Sequence, residues 1–227
     1  MPESLFDSGK LAMFDIFKKG KDSGGNSAGE SSTRHSRGWN DILAFMKASE
    51  ALRVLDFGAT SPANINYLTS LGHSVYMSNI VQDAARPEWL RPLASDAKPG
   101  SSQEFDTEGF IAANLDFSQR DFDVILLWDT ANYLPPQLVP ALFQRLRQVL
   151  RPDGNLLAFF HGRVDGPGTT FSRYQLTDSE NLIVLTSGNF PVQTVYQTRQ
   201  IEKFLEGYSR VRFFLGKDNV REVIAIH

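Results

Sequence analysis

The chain has 227 residues, 41% hydrophobic and 11% aromatic, enough to close one sizeable core in one domain or at most two. Lysine and arginine number 23 against 26 aspartates and glutamates, and the net charge of −3 favours neither nucleic acid nor an acidic membrane as an obligatory partner. With no cysteine there is no disulfide framework, cysteine-ligated zinc or thiol nucleophile, and the opening MPESLFDSGK lacks the regions of a signal peptide, so a soluble cytoplasmic protein is expected.

Residues 1–38 read as an arm and a linker. Leu5, Phe6, Leu11, Met13, Phe14, Ile16 and Phe17 form a short apolar segment followed by Lys18, Lys19 and Lys21. It suits a basic amphipathic membrane or partner helix, or a short arm packing on its own domain or, by self-association, on a neighbouring copy. The stretch 20–38 is Gly/Ser-rich with little to bury, which predicts a flexible linker before a globular domain over 39–227. No apolar run approaches the roughly 20 residues of a membrane span.

From Trp39 two periods alternate. WNDILAFMKA (39–48) has helical spacing, and RVLDF (53–57) is a short apolar run expected of a strand buried on both faces. Ser61 and Pro62 are a good N-cap and first helical residue for a helix that runs to Leu71 and stops at Gly72. SVYMSNI (74–80) predicts the second strand, FIAANL (110–115) a weaker third and FDVILLW (122–128) a strong fourth. A helix over 136–150 stops before RPDG, and NLLAFFH (155–161) is the fifth strand. A helix over 198–208 precedes two β-rich runs, RVRFFLG and VREVIAIH, that read as a hairpin. Strands alternating with helices predict a Rossmann-like, doubly wound α/β sheet, mostly parallel, with helices on both faces and an antiparallel edge. Ligands of such sheets bind beyond the carboxyl ends of the strands.

Over 39–227 these motifs, in this order, resemble the class I S-adenosylmethionine (SAM)-dependent methyltransferases. RVLDFG, LTSLGHSVYMSNI, FDVILLWDTANYL, LRQVLRPDGNLLAFF and FFLGKDNVREVIAIH carry the resemblance, the RPDG turn most tellingly. It implies a seven-stranded sheet with the last strand antiparallel, SAM as methyl donor and an acceptor, expected to be a small molecule, above the strand ends. The family pattern D-x-G-x-G-x-G falls on Asp56, Gly58, Thr60 and Pro62, so two of its three glycines are replaced. The resemblance puts the cofactor against Asp56, Gly58, Ala59, Thr60 and Ser61. It puts Asn79 on the ribose, Asn114 and Leu115 at the adenine, and Trp128 beside the cofactor. Asn79 and Asn114 stand where the family usually has acids, and a β-branched Thr60 suits a glycine's place poorly.

Methyl transfer is an in-line displacement that rests on holding the acceptor close, with a base where the nucleophile carries a proton. His161, at the end of the fifth strand, and Asp129 and Tyr133, in WDTANY, are the polar candidates. The structural alternatives are a loop-start hydrogen bond for His161 and helix capping for Asp129. The four histidines at 35, 73, 161 and 227 have no ligand spacing, so no metal is expected. Residues 161–188 stand where the family often builds a lid. The altered loop also suits a catalytically silent binding or scaffold protein on the same fold.

Overall fold

The computed structural model describes residues 31–91, 103–165 and 169–227. The expected apolar arm at 5–17 and the Gly/Ser-rich stretch up to residue 30 lie outside them.

Six strands form the main sheet. In chain order they are β2 (Arg53–Phe57), β3 (Ser74–Ser78), β4 (Phe122–Trp128), β5 (Leu150–His161), β8 (Arg210–Leu215) and β9 (Val220–Ile226), arranged β3-β2-β4-β5-β9-β8. The first four run parallel, and β9 lies antiparallel between β5 and β8. A second sheet of three antiparallel strands, ordered β1-β7-β6, joins β1 (Ser31–His35), β6 (Ser172–Gln175) and β7 (Asn181–Thr186). Six α-helices accompany them among the described residues: α1 (Arg37–Lys47), α2 (Pro62–Ser70), α3 (Ile80–Ala84), α4 (Thr107–Asn114), α5 (Leu138–Val149) and α6 (Thr198–Phe204). Among the described residues no helix is long and apolar enough to cross a membrane.

The continuous apolar runs of the central strands divide by alternation, because successive side chains of a strand point to opposite faces. Val54, Val124, Leu126, Leu157 and Phe159 pack with Trp39, Ile42, Met46 and Leu68 of α1 and α2. Leu55, Ile125, Leu127, Leu156 and Phe160 pack with Phe110, Leu142, Phe143, Leu146 and Ile201 of α4, α5 and α6. Both faces of the sheet are thus covered, as the doubly wound reading requires. The RPDG turn lies inside β5: Leu150 pairs with Phe122, Asp153 takes φ +64° and the register shifts before Asn155 meets Val124. Gly154 is needed there, since a Cβ would come within 2.8 Å of the Arg151 carbonyl oxygen and of a Leu150 methyl.

Three expectations are corrected. FIAANL is not a strand but most of α4, so the main sheet has six strands rather than seven. Asp106 caps that helix by accepting from the Gly109 N–H at 3.2 Å, and buried Phe110 packs on Trp89 and Phe105. Two alanines at its centre suit a helix, and β3 is left as an edge on which Tyr76 is 40% exposed. Residues 31–35, read with the linker, form β1 because they find a partner strand in β7, about 150 residues away. The last helix ends at Phe204 rather than 208, and Gly207 turns the chain at φ +90°.

Candidate functional site

The carboxyl ends of β2, β4 and β5 carry a buried polar cluster. Asp56, near the end of β2, is 1% exposed. Its Oδ1 accepts from the Trp128 indole N–H at 2.6 Å and its Oδ2 from the Asn64 amide at 3.1 Å. Gly58 prolongs the parallel ladder by donating to the Ser78 carbonyl at 3.0 Å, and Ser61 caps α2 by accepting from the Asn64 N–H at 3.2 Å. The loop therefore ends in the helix start read from Ser61 and Pro62.

Burial pushes the Asp56 carboxyl up to about 6, against the two hydrogen bonds that hold it down. The folded chain thus binds this proton more tightly than the unfolded chain, where the ordinary value is 3.8. The resulting stability is present below the unfolded value and is lost as pH rises from about 4 through 6, by about 3 kcal/mol. Asp56→Asn does not titrate. In urea denaturation the stability difference between the native chain and this variant is expected to move by about that amount between pH 4 and pH 7. A flat difference would show that Asp56 titrates like an exposed carboxylate.

At the end of β4 the register shifts and Trp128 takes φ +50°, in the left-handed region that an aromatic residue rarely occupies. This turns the indole toward Asp56. Tyr174 of β6 stacks on it with centroids 5.0 Å apart and planes at 19°, and Phe159 of β5 meets both rings edge-on, at 5.5 Å from the indole and 5.3 Å from Tyr174. The next residue, Asp129, uses Oδ2 to accept from the Tyr174 hydroxyl at 3.0 Å and to meet His161 Nε2 at 3.1 Å. Tyr133 Oη is 3.0 Å from the same nitrogen and donates to the Thr169 carbonyl at 2.9 Å. Because the one Tyr133 proton goes to that carbonyl, both short contacts of Nε2 are satisfied when it carries the hydrogen and donates. Burial and then the nearby Asp129 raise both tyrosines well above the usual phenol range, so each stays a neutral donor. Asn132 fixes the end of β5: its Oδ1 accepts from the His161 N–H at 3.0 Å while its amide donates to the Thr194 carbonyl at 2.7 Å.

The structure thus brings Asp56, Trp128, Asp129, Tyr133 and His161 into one buried cluster. Asp129 caps no helix with its side chain. Gly58 and Ala59 are half-buried and Thr60 is exposed at the rim. Asn79 follows β3 and caps α3, its Oδ1 accepting from the Gln82 N–H at 3.5 Å. Asn114 turns back on its own helix, donating to the Phe110 carbonyl at 3.0 Å, and Leu115 is fully buried. Among the described residues no hydrogen bond joins these two to the loop at 58–61.

Tyr174 and Asn64 escaped the sequence reading. The Asn64 amide also donates to the Tyr174 carbonyl, and its oxygen accepts from the Leu176 N–H, which ties β6 to the start of α2. Polar Asn64 in the first turn of α2 is the available local signal; besides Asp56, its side-chain partners lie more than 100 residues on.

The profile of a family described as a methyltransferase domain matches residues 31–165. No curated protein matches the chain. Among solved structures it is similar to a SAM-dependent methyltransferase of Methanosarcina mazei, 19% identical over 81% of this chain and 96% of that one, with a TM-score of 0.47. A magnesium protoporphyrin IX methyltransferase of Synechocystis PCC 6803 with bound SAM is 16% identical over 83% and 77%, with a TM-score of 0.43. The 1,6-didemethyltoxoflavin-N1-methyltransferase of Burkholderia thailandensis, with bound 1,6-didemethyltoxoflavin and S-adenosylhomocysteine, is 15% identical over 84% and 78%, with a TM-score of 0.41.

Proposed function

The chain belongs to the methyltransferase-domain family, and from that premise we propose that it transfers a methyl group from SAM to a small-molecule acceptor. The observation that carries this reading is the buried Asp129–His161–Tyr133 cluster on the carboxyl ends of β4 and β5, beside the loop that follows β2. A buried, hydrogen-bonded carboxylate and imidazole at that end of the sheet suit removal of an acceptor proton.

The residues fit the cofactor at one end. A Cβ on Gly58 would meet only Asp56 Oδ1, at 3.8 Å, so a nucleoside can approach the backbone there, with Asn79 at the end of the neighbouring strand. At the amino-acid end they fit only with Tyr174 displaced. Its ring and the Trp128 indole fill the space between the start of α2 and the end of β4, and both Asp56 oxygens are already paired. When bound, SAM supplies an electrophilic methyl group. The chain's own part is to hold the acceptor where the Tyr174 hydroxyl now sits, so that its proton passes to Asp129 Oδ2, with His161 and Tyr133 keeping that carboxylate in place and water out.

The filled amino-acid end favours a second reading, a silent binding protein on the same fold. Calorimetric titration with SAM and with S-adenosylhomocysteine decides between them. Binding is expected for the native chain, and Tyr174→Ala should tighten it about tenfold by clearing that end. No heat at millimolar ligand from either folded protein would leave the silent reading.

A further inference from the structure

A cleft of about 800 Å³ opens between the three-stranded sheet and the β8–β9 turn, at the carboxyl end of β5. Its volume is that of a small-molecule site. Arg34, Arg37, Arg163 and Lys217 line it against two carboxylates, Asp218 and Glu222. Arg34 is paired with both of those at 2.8 and 2.6 Å, and its guanidinium lies over the Phe159 ring. Arg34 thus offsets one of the two carboxylate charges. Exposed Arg37 and Lys217 make no ion pair among the described residues, and the cleft keeps an excess of positive charge in a protein whose net charge is −3. Val184, Phe214 and Leu215 give it an apolar wall, and Ser32, Thr33 and Ser172 supply hydroxyls. Tyr174 belongs to both this cleft and the buried cluster, through its hydroxyl on Asp129.

We propose that this cleft binds a small molecule with an anionic head, a carboxylate or a phosphate, on an apolar or aromatic body, and that this is the class of the methyl acceptor. The acceptor role rests on the function proposed above; the anion site does not. Arg37 and Lys217 hold the head, the apolar wall takes the body, and Tyr174 separates the bound molecule from Asp129 until it is displaced. Charge-assisted contacts of this kind give selectivity over a neutral isostere.

The test titrates the full chain with 4-hydroxybenzoate, with phenyl phosphate and with neutral 4-hydroxybenzyl alcohol, and separately with SAM. At least one anion should bind about tenfold or more tightly than the alcohol, the tighter of the two identifying the head group. The double variant Arg37→Glu/Lys217→Glu, changed only at exposed positions, should lose that preference while its affinity for SAM is unchanged. Anions that bind no better than the alcohol, or a double variant that binds them like the native chain, would overturn the site. Anion binding kept in a chain that does not bind SAM would uphold the site and remove the acceptor role.

Discussion

Asp129→Asn is expected to lower methyl transfer by roughly 10²–10⁴-fold while leaving SAM affinity within a few-fold of the native value. Asparagine matches the shape of the side chain and keeps an oxygen for the Tyr174 hydroxyl and His161 Nε2, which share Oδ2. It cannot take up a proton, because an amide oxygen accepts hydrogen bonds but is not a base near neutral pH. Tyr133→Phe should cost far less, because Tyr133 donates to the Thr169 carbonyl and only accepts from His161. The comparison separates proton uptake from packing. Equal losses in the two variants, with both proteins folded, would show that Asp129 serves the fold alone. The measurement is transfer of labelled methyl from SAM, with the dependence on pH recorded for each protein.

Glu222→Ala should destabilise the protein by about 3 kcal/mol, because buried Arg34 keeps only the more exposed Asp218 and two further donors lose their acceptor. Glu222, on β9, is 2% exposed. Its Oε1 accepts from Arg34 Nη1 at 2.6 Å, and its Oε2 accepts from the Gly38 N–H at 2.6 Å and the Ser36 hydroxyl at 2.9 Å. One carboxylate therefore joins β1, the first turn of α1 and the main sheet, and offsets the positive end of α1. A Cβ on Gly38 would lie 2.6 Å from a Leu157 methyl and 3.0 Å from Glu222 Oε2, so the helix start is pressed against the sheet at this point. Arg34→Met/Glu222→Met removes both charges, and it should recover about 1–3 kcal/mol relative to the sum of the single changes. Full recovery is not expected, because Ser36 and the Gly38 N–H lose their acceptor. Urea denaturation of the native chain, Arg34→Met, Glu222→Met and the double variant checks this, and strict additivity would mean that Arg34 and Glu222 do not act as a pair.

What was legible from the residues alone was whatever short-range periodicity encodes. RVLDF, FDVILLW and NLLAFFH announce strands covered on both faces, Ser61 and Pro62 announce a helix start, and the order of these elements announces the doubly wound sheet and its family. Since ligands of such sheets sit beyond the carboxyl ends of the strands, Asp129, Tyr133 and His161 could be singled out from their positions after β4 and at the end of β5. FIAANL was misread for the converse reason. Six residues with an aromatic and an isoleucine satisfy a strand or a buried helix turn equally, and the Asp106 cap with the Trp89 and Phe105 contacts of Phe110 decided for the helix.

Partners distant in sequence belong to the tertiary structure alone. Ser31–His35 has the composition of a linker and becomes a strand only because β7 offers it a ladder. Arg34 looks like a solvated cation until Glu222 and Asp218, more than 180 residues away, enclose it. Tyr174 looks like one aromatic residue in a polar lid until Asn64, Trp128 and Asp129 converge on it from three other elements. The local pattern of a sequence records which way each side chain faces. What it meets there is decided when the elements pack, and in this protein that packing places the chain's own tyrosine at the head of the site.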